Sequence, residues 1–139
     1  MQEVTIHLTI RQSSGGQTVV TDNRYDGRAV QKASGWYFSY QEDLEGIGEV
    51  GAVIKVAESD VTLLRQGSLQ MKQVFCKNRS TESAYVTPHG RFQLKTHTRK
   101  LRIERTGDRP TGISLAYQLW LHDEYLGEFA LTLGIEWKE

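Results

Sequence analysis

Residues 113–121 read Ile-Ser-Leu-Ala-Tyr-Gln-Leu-Trp-Leu, and residues 129–137 read Phe-Ala-Leu-Thr-Leu-Gly-Ile-Glu-Trp. In both stretches a large apolar residue falls on every second position, which is the period of a strand with one buried face. Asp123-Glu124 lies between them and opens a reversal. The same period recurs toward the N-terminus. Val4, Ile6, Leu8 and Ile10 alternate with polar neighbours, Ser13-Ser14-Gly15-Gly16 interrupts, and Gln17 to Thr21 resumes. That pattern reads as a hairpin. Ala29 to Glu42 reads as one long strand carrying Trp36, Phe38, Tyr40 and Glu42 on one parity. Further faces are Val50-Ala52-Ile54-Val56, Val61-Leu63-Arg65, Leu69-Met71-Gln73-Phe75, Thr81 to Val86, and Phe92-Leu94-Thr96-Thr98. A bulge after Thr98 that switches parity would carry the last of these through Leu101 and Ile103.

These are about ten strand-like runs, and no window keeps a helical period, with a short helical turn in 41–47 the one place left open. A flat sheet of that many strands would expose two edges, and closure removes them. Short turns between successive runs favour antiparallel neighbours in chain order. The expected fold is therefore all-β: a single antiparallel β-barrel of about 8–10 strands, mostly up-and-down, with residues 1–139 as one domain.

Composition narrows the function classes. The chain has 139 residues, 38% hydrophobic and 24% charged, and no apolar run near the roughly 18 residues of a membrane helix. Seventeen basic residues balance seventeen acidic ones, so there is no bulk attraction to nucleic acid or anionic membranes. The balance is local as well as global in only part of the chain. Glu42, Asp43, Glu45 and Glu49 cluster without a basic partner, whereas Arg91, Lys95, Arg99, Lys100, Arg102 and Arg105 face Glu104 alone. One cysteine, Cys76, leaves no internal disulfide and no zinc site built on paired thiolates. The N-terminal stretch has neither a basic start nor an apolar run, and with the lone thiol it points to the cytoplasm.

Several short stretches carry a resemblance. They are Ser39-Tyr40-Gln41-Glu42, Lys55-Val56, Leu64-Arg65-Gln66-Gly67, Met71-Lys72-Gln73-Val74-Phe75, Tyr85-Val86-Thr87-Pro88-His89-Gly90, Thr96 to Thr98, and Gly112-Ile113-Ser114-Leu115-Ala116-Tyr117. In order and spacing they resemble the YwiB-like family, small bacterial proteins built around a domain of unknown function. The likeness spans nearly the whole chain. It implies a calycin-like (lipocalin-like) barrel, and it implies no established activity.

Candidate site residues follow from parity. If the apolar face points inward, Tyr40, Glu42, Arg65, Gln73, Thr96, Thr98 and Tyr117 go inward with it. A buried carboxylate and a buried guanidinium must be paired, and Glu42 with Arg65 is the natural pair. Two roles are open: a structural ion pair plugging one barrel end, or a polar cluster at the base of a cavity, with Arg65 binding a carboxylate or phosphate head group. Gln73, Tyr85 and Tyr117 would then supply orienting hydrogen bonds.

Catalytic signatures are missing. His7, His89, His97 and His122 have no recognisable ligand spacing, so neither a metal nor a cofactor is expected. No base can be assigned to Cys76, and no nucleophile elbow or phosphate loop occurs, so an enzyme is not expected. The leading expectation is non-enzymatic binding of a small amphipathic or anionic ligand in the barrel. One alternative is nucleic-acid or ribonucleoprotein binding through Lys95, Arg99, Lys100, Arg102 and Arg105, which lack a stacking aromatic on their own strand face. A second is a structural or protein-interaction module using an exposed Trp120, with the oligomeric state open between monomer and homodimer.

Overall fold

The computed structural model describes residues 1–138. Ten strands follow one another: β1 Gln2–Ser14, β2 Gln17–Lys32, β3 Gly35–Leu44, β4 Gly48–Val56, β5 Asp60–Gly67, β6 Gln70–Cys76, β7 Arg79–Thr87, β8 Gly90–Thr106, β9 Arg109–Leu121 and β10 Glu124–Trp137. Each pairs antiparallel with the next, and β1 pairs with β10 from Val4↔Trp137 to Ser13↔Glu128, so the barrel closes. Chain order equals spatial order, an arrangement consistent with a calycin-like barrel. Residues 41–47 hold the end of β3 and a turn, with no helix.

One boundary differs from the sequence reading. Ala29 to Glu42 is not a single strand: Ala29 to Lys32 finish β2, Ala33-Ser34 form a tight turn, and Gly35 opens β3. The shared parity of Val30 and Trp36 suggests continuity, but the buried side chain of β2 is that of Ala29, opposite Phe38, so the inward parity switches across the turn. The expected bulge does occur, between Thr98 and Lys100, and β8 then pairs Leu101 with Leu115 and Ile103 with Ile113.

Closure is uneven around the wall. β2 pairs with β3 only from Arg28↔Ser39 to Lys32↔Gly35. Gly27 marks the parting, since a Cβ there would lie 2.8 Å from Ile6 Cδ1 and 2.9 Å from the Ser39 carbonyl oxygen. The second weak seam joins β6 and β7, which pair only at Gln70↔Val86 and Met71↔Tyr85. At the turn end of that seam a side chain replaces the ladder: Thr81 Oγ1 donates to the Val74 carbonyl at 2.7 Å. The backbone N–H of Asn78 beside it donates to the Thr98 carbonyl of β8 at 2.8 Å.

The two ends of the barrel are built differently. At the end holding the chain termini, Trp36, Phe38 and Trp137 pack together, with Trp36 and Trp137 edge-on at 5.0 Å between ring centres. Both indole N–H groups are satisfied, Trp36 by the Asp108 carbonyl at 3.0 Å and Trp137 by the Pro110 carbonyl at 2.9 Å. The Arg109 guanidinium lies over the Trp137 ring at 4.8 Å. This end is a solid plug. At the opposite end, Leu44, Ile47 and Leu69 cover β3 to β6, while Ile10, Leu119, Leu121 and Phe129 remain only half-buried.

Candidate ligand cavity

Period two puts the apolar parity of every strand inside, and the polar residues of that parity follow. Tyr40, Glu42, Gln73, Thr96, Thr98 and Tyr117 are all buried, and Arg65 is nearly so. Of these, Tyr40, Arg65, Gln73 and Tyr117 line a cavity of about 300 Å³ on the open half of the barrel. Its walls are mainly apolar, with Leu63, Phe75, Leu115, Leu131 and Leu133 toward the plugged end and Leu119, Leu121, Leu126 and Phe129 toward the mouth.

Five of the eight residues singled out from the sequence line this space: Tyr40, Arg65, Gln73, Tyr85 and Tyr117. Glu42 and Thr96 stand behind them as partners. The Arg65 guanidinium donates from Nε to Glu42 Oε1 and from Nη2 to Oε2, each at 3.3 Å, in a two-point contact. The Glu42 side chain keeps 3% exposure and Arg65 17%. Removing one member would strand the other charge, so the pair fixes both rotamers. Gln73 Nε2 donates to Thr96 Oγ1 at 3.1 Å, which orients the Gln73 amide across the weak β6–β7 seam.

The tyrosines add hydroxyls without using them up. The Tyr40 hydroxyl is buried and makes no hydrogen bond of acceptable geometry, and Thr98 Oγ1 is in the same condition. Burial, reinforced by the nearby Glu42 carboxylate, pushes the Tyr40 hydroxyl far above the usual tyrosine range. Tyr117 is raised as well, by burial, with Arg65 pulling the other way. Tyr117 is held between the rings of Phe75, at 4.8 Å, and Phe129, stacked at 5.3 Å. Tyr25 closes the wedge between β2 and β3, its ring 4.7 Å from that of Tyr40. Its own hydroxyl is raised by burial and then by Glu42. A neutral, hydrogen-bonding set around one paired guanidinium, facing an apolar chamber, can hold a molecule with one polar and one greasy end.

Sequence reasoning missed Leu126. The bulge between Tyr125 and Gly127 shifts parity in β10, so Leu126 turns to the mouth although strict alternation from Phe129 points it outward. Gly127 was the available signal: its φ is +126°, and a Cβ there would sit 2.5 Å from the Ser13 carbonyl oxygen.

The basic strip takes a different form from the one expected. Lys95 Nζ lies over the Trp120 ring at 5.2 Å, and Trp120 in turn packs on Tyr125 at 5.4 Å. Trp120 is therefore half-buried by its neighbours rather than freely exposed. Arg99 pairs with Glu128 at 2.6 Å and Arg102 with Glu104 at 3.6 Å. Arg105 Nη2 donates to the Ala57 carbonyl at 2.9 Å and so caps the β4–β5 turn. Lys100 alone of the five has no partner among the described residues. The aromatic neighbour of Lys95 comes from β9 through the pair Lys95↔Trp120, which parity along β8 could not reveal.

The histidines are dispersed. His7 contacts Asp22, His97 Nδ1 bonds Ser80 Oγ at 2.9 Å, and the His122 ring rests 5.2 Å from that of Phe92. No group of three metal-binding side chains converges among the described residues.

With this geometry in place, the chain can be set beside known proteins. It is 30% identical over 134 residues to the uncharacterized β-barrel protein YwiB of Bacillus subtilis (strain 168), covering 96% of this chain and 92% of that protein. The crystal structure of the Bacillus subtilis protein superposes with a TM-score of 0.78 at 25% identity, over 96% of this chain and 91% of the other. Residues 6–133 match the family described as Domain of unknown function (DUF1934), and the chain belongs to that family.

Proposed function

We propose that the protein is a non-enzymatic, cytoplasmic binding protein that holds a small amphipathic or anionic molecule inside the barrel. One observation carries this reading: a cavity of about 300 Å³ whose apolar walls converge on Arg65, Gln73, Tyr40 and Tyr117. Small-molecule sites have this make-up, with few polar groups fixing orientation in a greasy chamber, and the volume sits at the lower end of their range. Glu42 already neutralises Arg65, so the polar end of the ligand is met by hydrogen bonds as much as by charge. Its apolar end runs toward Leu121, Leu126 and Phe129. Nucleic-acid binding draws less support, because four of the five cations of the strip are engaged within the fold.

The test uses anilinonaphthalene sulfonate, a fluorescent amphipathic anion. Saturable one-to-one enhancement is expected for the wild-type chain. Leu119→Trp, which fills the mouth, should abolish it, while Glu42→Gln with Arg65→Met should weaken it without unfolding the barrel. Enhancement that survives Leu119→Trp in a folded protein rejects interior binding. Native mass spectrometry of freshly purified protein would show a retained mass lost on denaturation.

A further inference from the structure

The geometry points to the outer edge of β2 as a self-pairing surface, where a second copy of this chain adds its own β2 strand in antiparallel, two-fold fashion. Pairing of β2 with β3 begins only at Arg28, so residues 17–26 are bonded along one edge, to β1. Every residue from Gln17 to Arg24 is exposed. Val19 at 61% and Val20 at 54% are two of the few large apolar side chains left exposed anywhere in the described chain. Proteins usually blunt such an edge with proline, charged side chains or a covering segment. Residues 17–21, the stretch around Val20, contain neither proline nor a charge, and nothing among the described residues covers the edge.

Which backbone groups are free follows from the turn. Gly15 and Gly16 have φ values of +57° and +79°, a two-residue turn closed by Ser14↔Gln17. Such a turn makes its closing pair a hydrogen-bonded one, so odd-numbered residues from Gln17 to Tyr25 direct their N–H and C=O groups to β1. Thr18, Val20, Asp22, Arg24 and Asp26 direct theirs to the open edge. Arg28, the next in that series, opens the pairing with β3, which confirms the phase.

The open row is self-complementary about Val20. An antiparallel pairing centred there sets Val20 against Val20 and Thr18 against Asp22 of the other copy. On the opposite face Val19 meets Thr21. Both exposed valines become covered, and β-branched residues pair across the strands as they do in stable sheets. No like charges face one another, unlike the register centred on Asp22, which sets two carboxylates opposite each other. Length fits as well. In the Val20 register the second copy's Gly15-Gly16 turn arrives beside Arg24 and Tyr25, just short of Ser39, where β3 occupies the edge. A longer extended segment would run into β3, and this favours a second hairpin over a general peptide.

The full chain should show concentration-dependent dimerisation by sedimentation velocity. Val20→Lys should weaken association by at least about tenfold, because it puts two cations at the centre of the pairing. Val20→Pro should do the same, since it removes an edge donor and leaves the β1 ladder bonds in place. A Val20→Cys, Cys76→Ser chain should form a disulfide-linked dimer under mild oxidation, as opposed Cα atoms in a hydrogen-bonded pair lie about 5.5 Å apart. An Asp26→Cys, Cys76→Ser chain should not. A wild-type chain that stays monomeric up to its solubility limit overturns the proposal, as does a dimer that Val20→Lys leaves intact. Probe binding in the cavity is read separately, so failure of either idea leaves the other standing.

Discussion

The two ends of this barrel share one construction rule and reach opposite results. At the end with the chain termini, inward positions are filled by Trp36, Phe38 and Trp137, each indole N–H finds a carbonyl, and the interior is solid. At the other end the inward positions hold mainly aliphatic side chains with Tyr40, Arg65, Tyr85 and Tyr117 among them, a bulge between Tyr125 and Gly127 shifts β10, and about 300 Å³ stays unfilled. The difference teaches that alternation decides which side chains enter a barrel, while their size and hydrogen-bonding capacity decide whether it becomes a core or a chamber.

Truncation should separate the ends most sharply. Trp36→Ala opens a cavity in a packed plug and strands the Asp108 carbonyl, so a loss of about 3–5 kcal/mol is expected in chemical denaturation. Phe129→Ala at the mouth enlarges a space that already exists and should cost no more than about 2 kcal/mol. Equal losses would break the contrast.

The Glu42–Arg65 pair sits on the chamber side and comes next. Arg65→Met leaves a carboxylate buried without its partner and should cost about 3 kcal/mol. Glu42→Gln together with Arg65→Met should recover most of that loss. A double variant as unstable as the single one would mean that the pair does more than satisfy itself.

Alkaline titration offers a smaller effect. Burial raises the hydroxyls of Tyr40 and Tyr117 above the ordinary tyrosine value. The unfolded chain therefore loses protons above about pH 10 that the folded chain keeps. The stabilisation is fully present below that pH and falls above it, by about 1.4 kcal/mol per pH unit for each group. Tyr40→Phe with Tyr117→Phe should flatten the decline measured by urea unfolding between pH 10 and pH 11, about one unit apart.

The smallest effect concerns Thr98, whose hydroxyl is buried without a partner. Thr98→Val should leave stability unchanged or raise it by up to about 1 kcal/mol. Marked destabilisation would reveal a hydrogen bond that the static geometry lacks.

Much of this was legible in the residue order. The spacing of Val4, Ile6 and Leu8, or of Ile113, Leu115 and Tyr117, can be satisfied only by strands with one buried face. Ten such runs joined by short turns can shed their edges only by closing. The same parity sent Glu42, Arg65, Gln73 and Tyr117 inward before any coordinates were known. It failed where the backbone breaks its own period without a loud residue signal. At Ala33-Ser34 the inward parity changes from Ala29 to Trp36 across a reversal marked only by Ser34-Gly35, and Leu126 changes face at a bulge marked only by Gly127.

Sequence by itself therefore determined the fold class, the inner and outer faces and the polar residues that travel inward, because each is a local consequence of period two. Tertiary structure alone decided which inward residues meet across strands, as Arg65 meets Glu42 and Lys95 meets Trp120. It also decided that β2 leaves β3 at Gly27 and that one end of the barrel stays hollow. Register, closure and volume are sums over the whole circuit of strands, and no single stretch of the chain contains them.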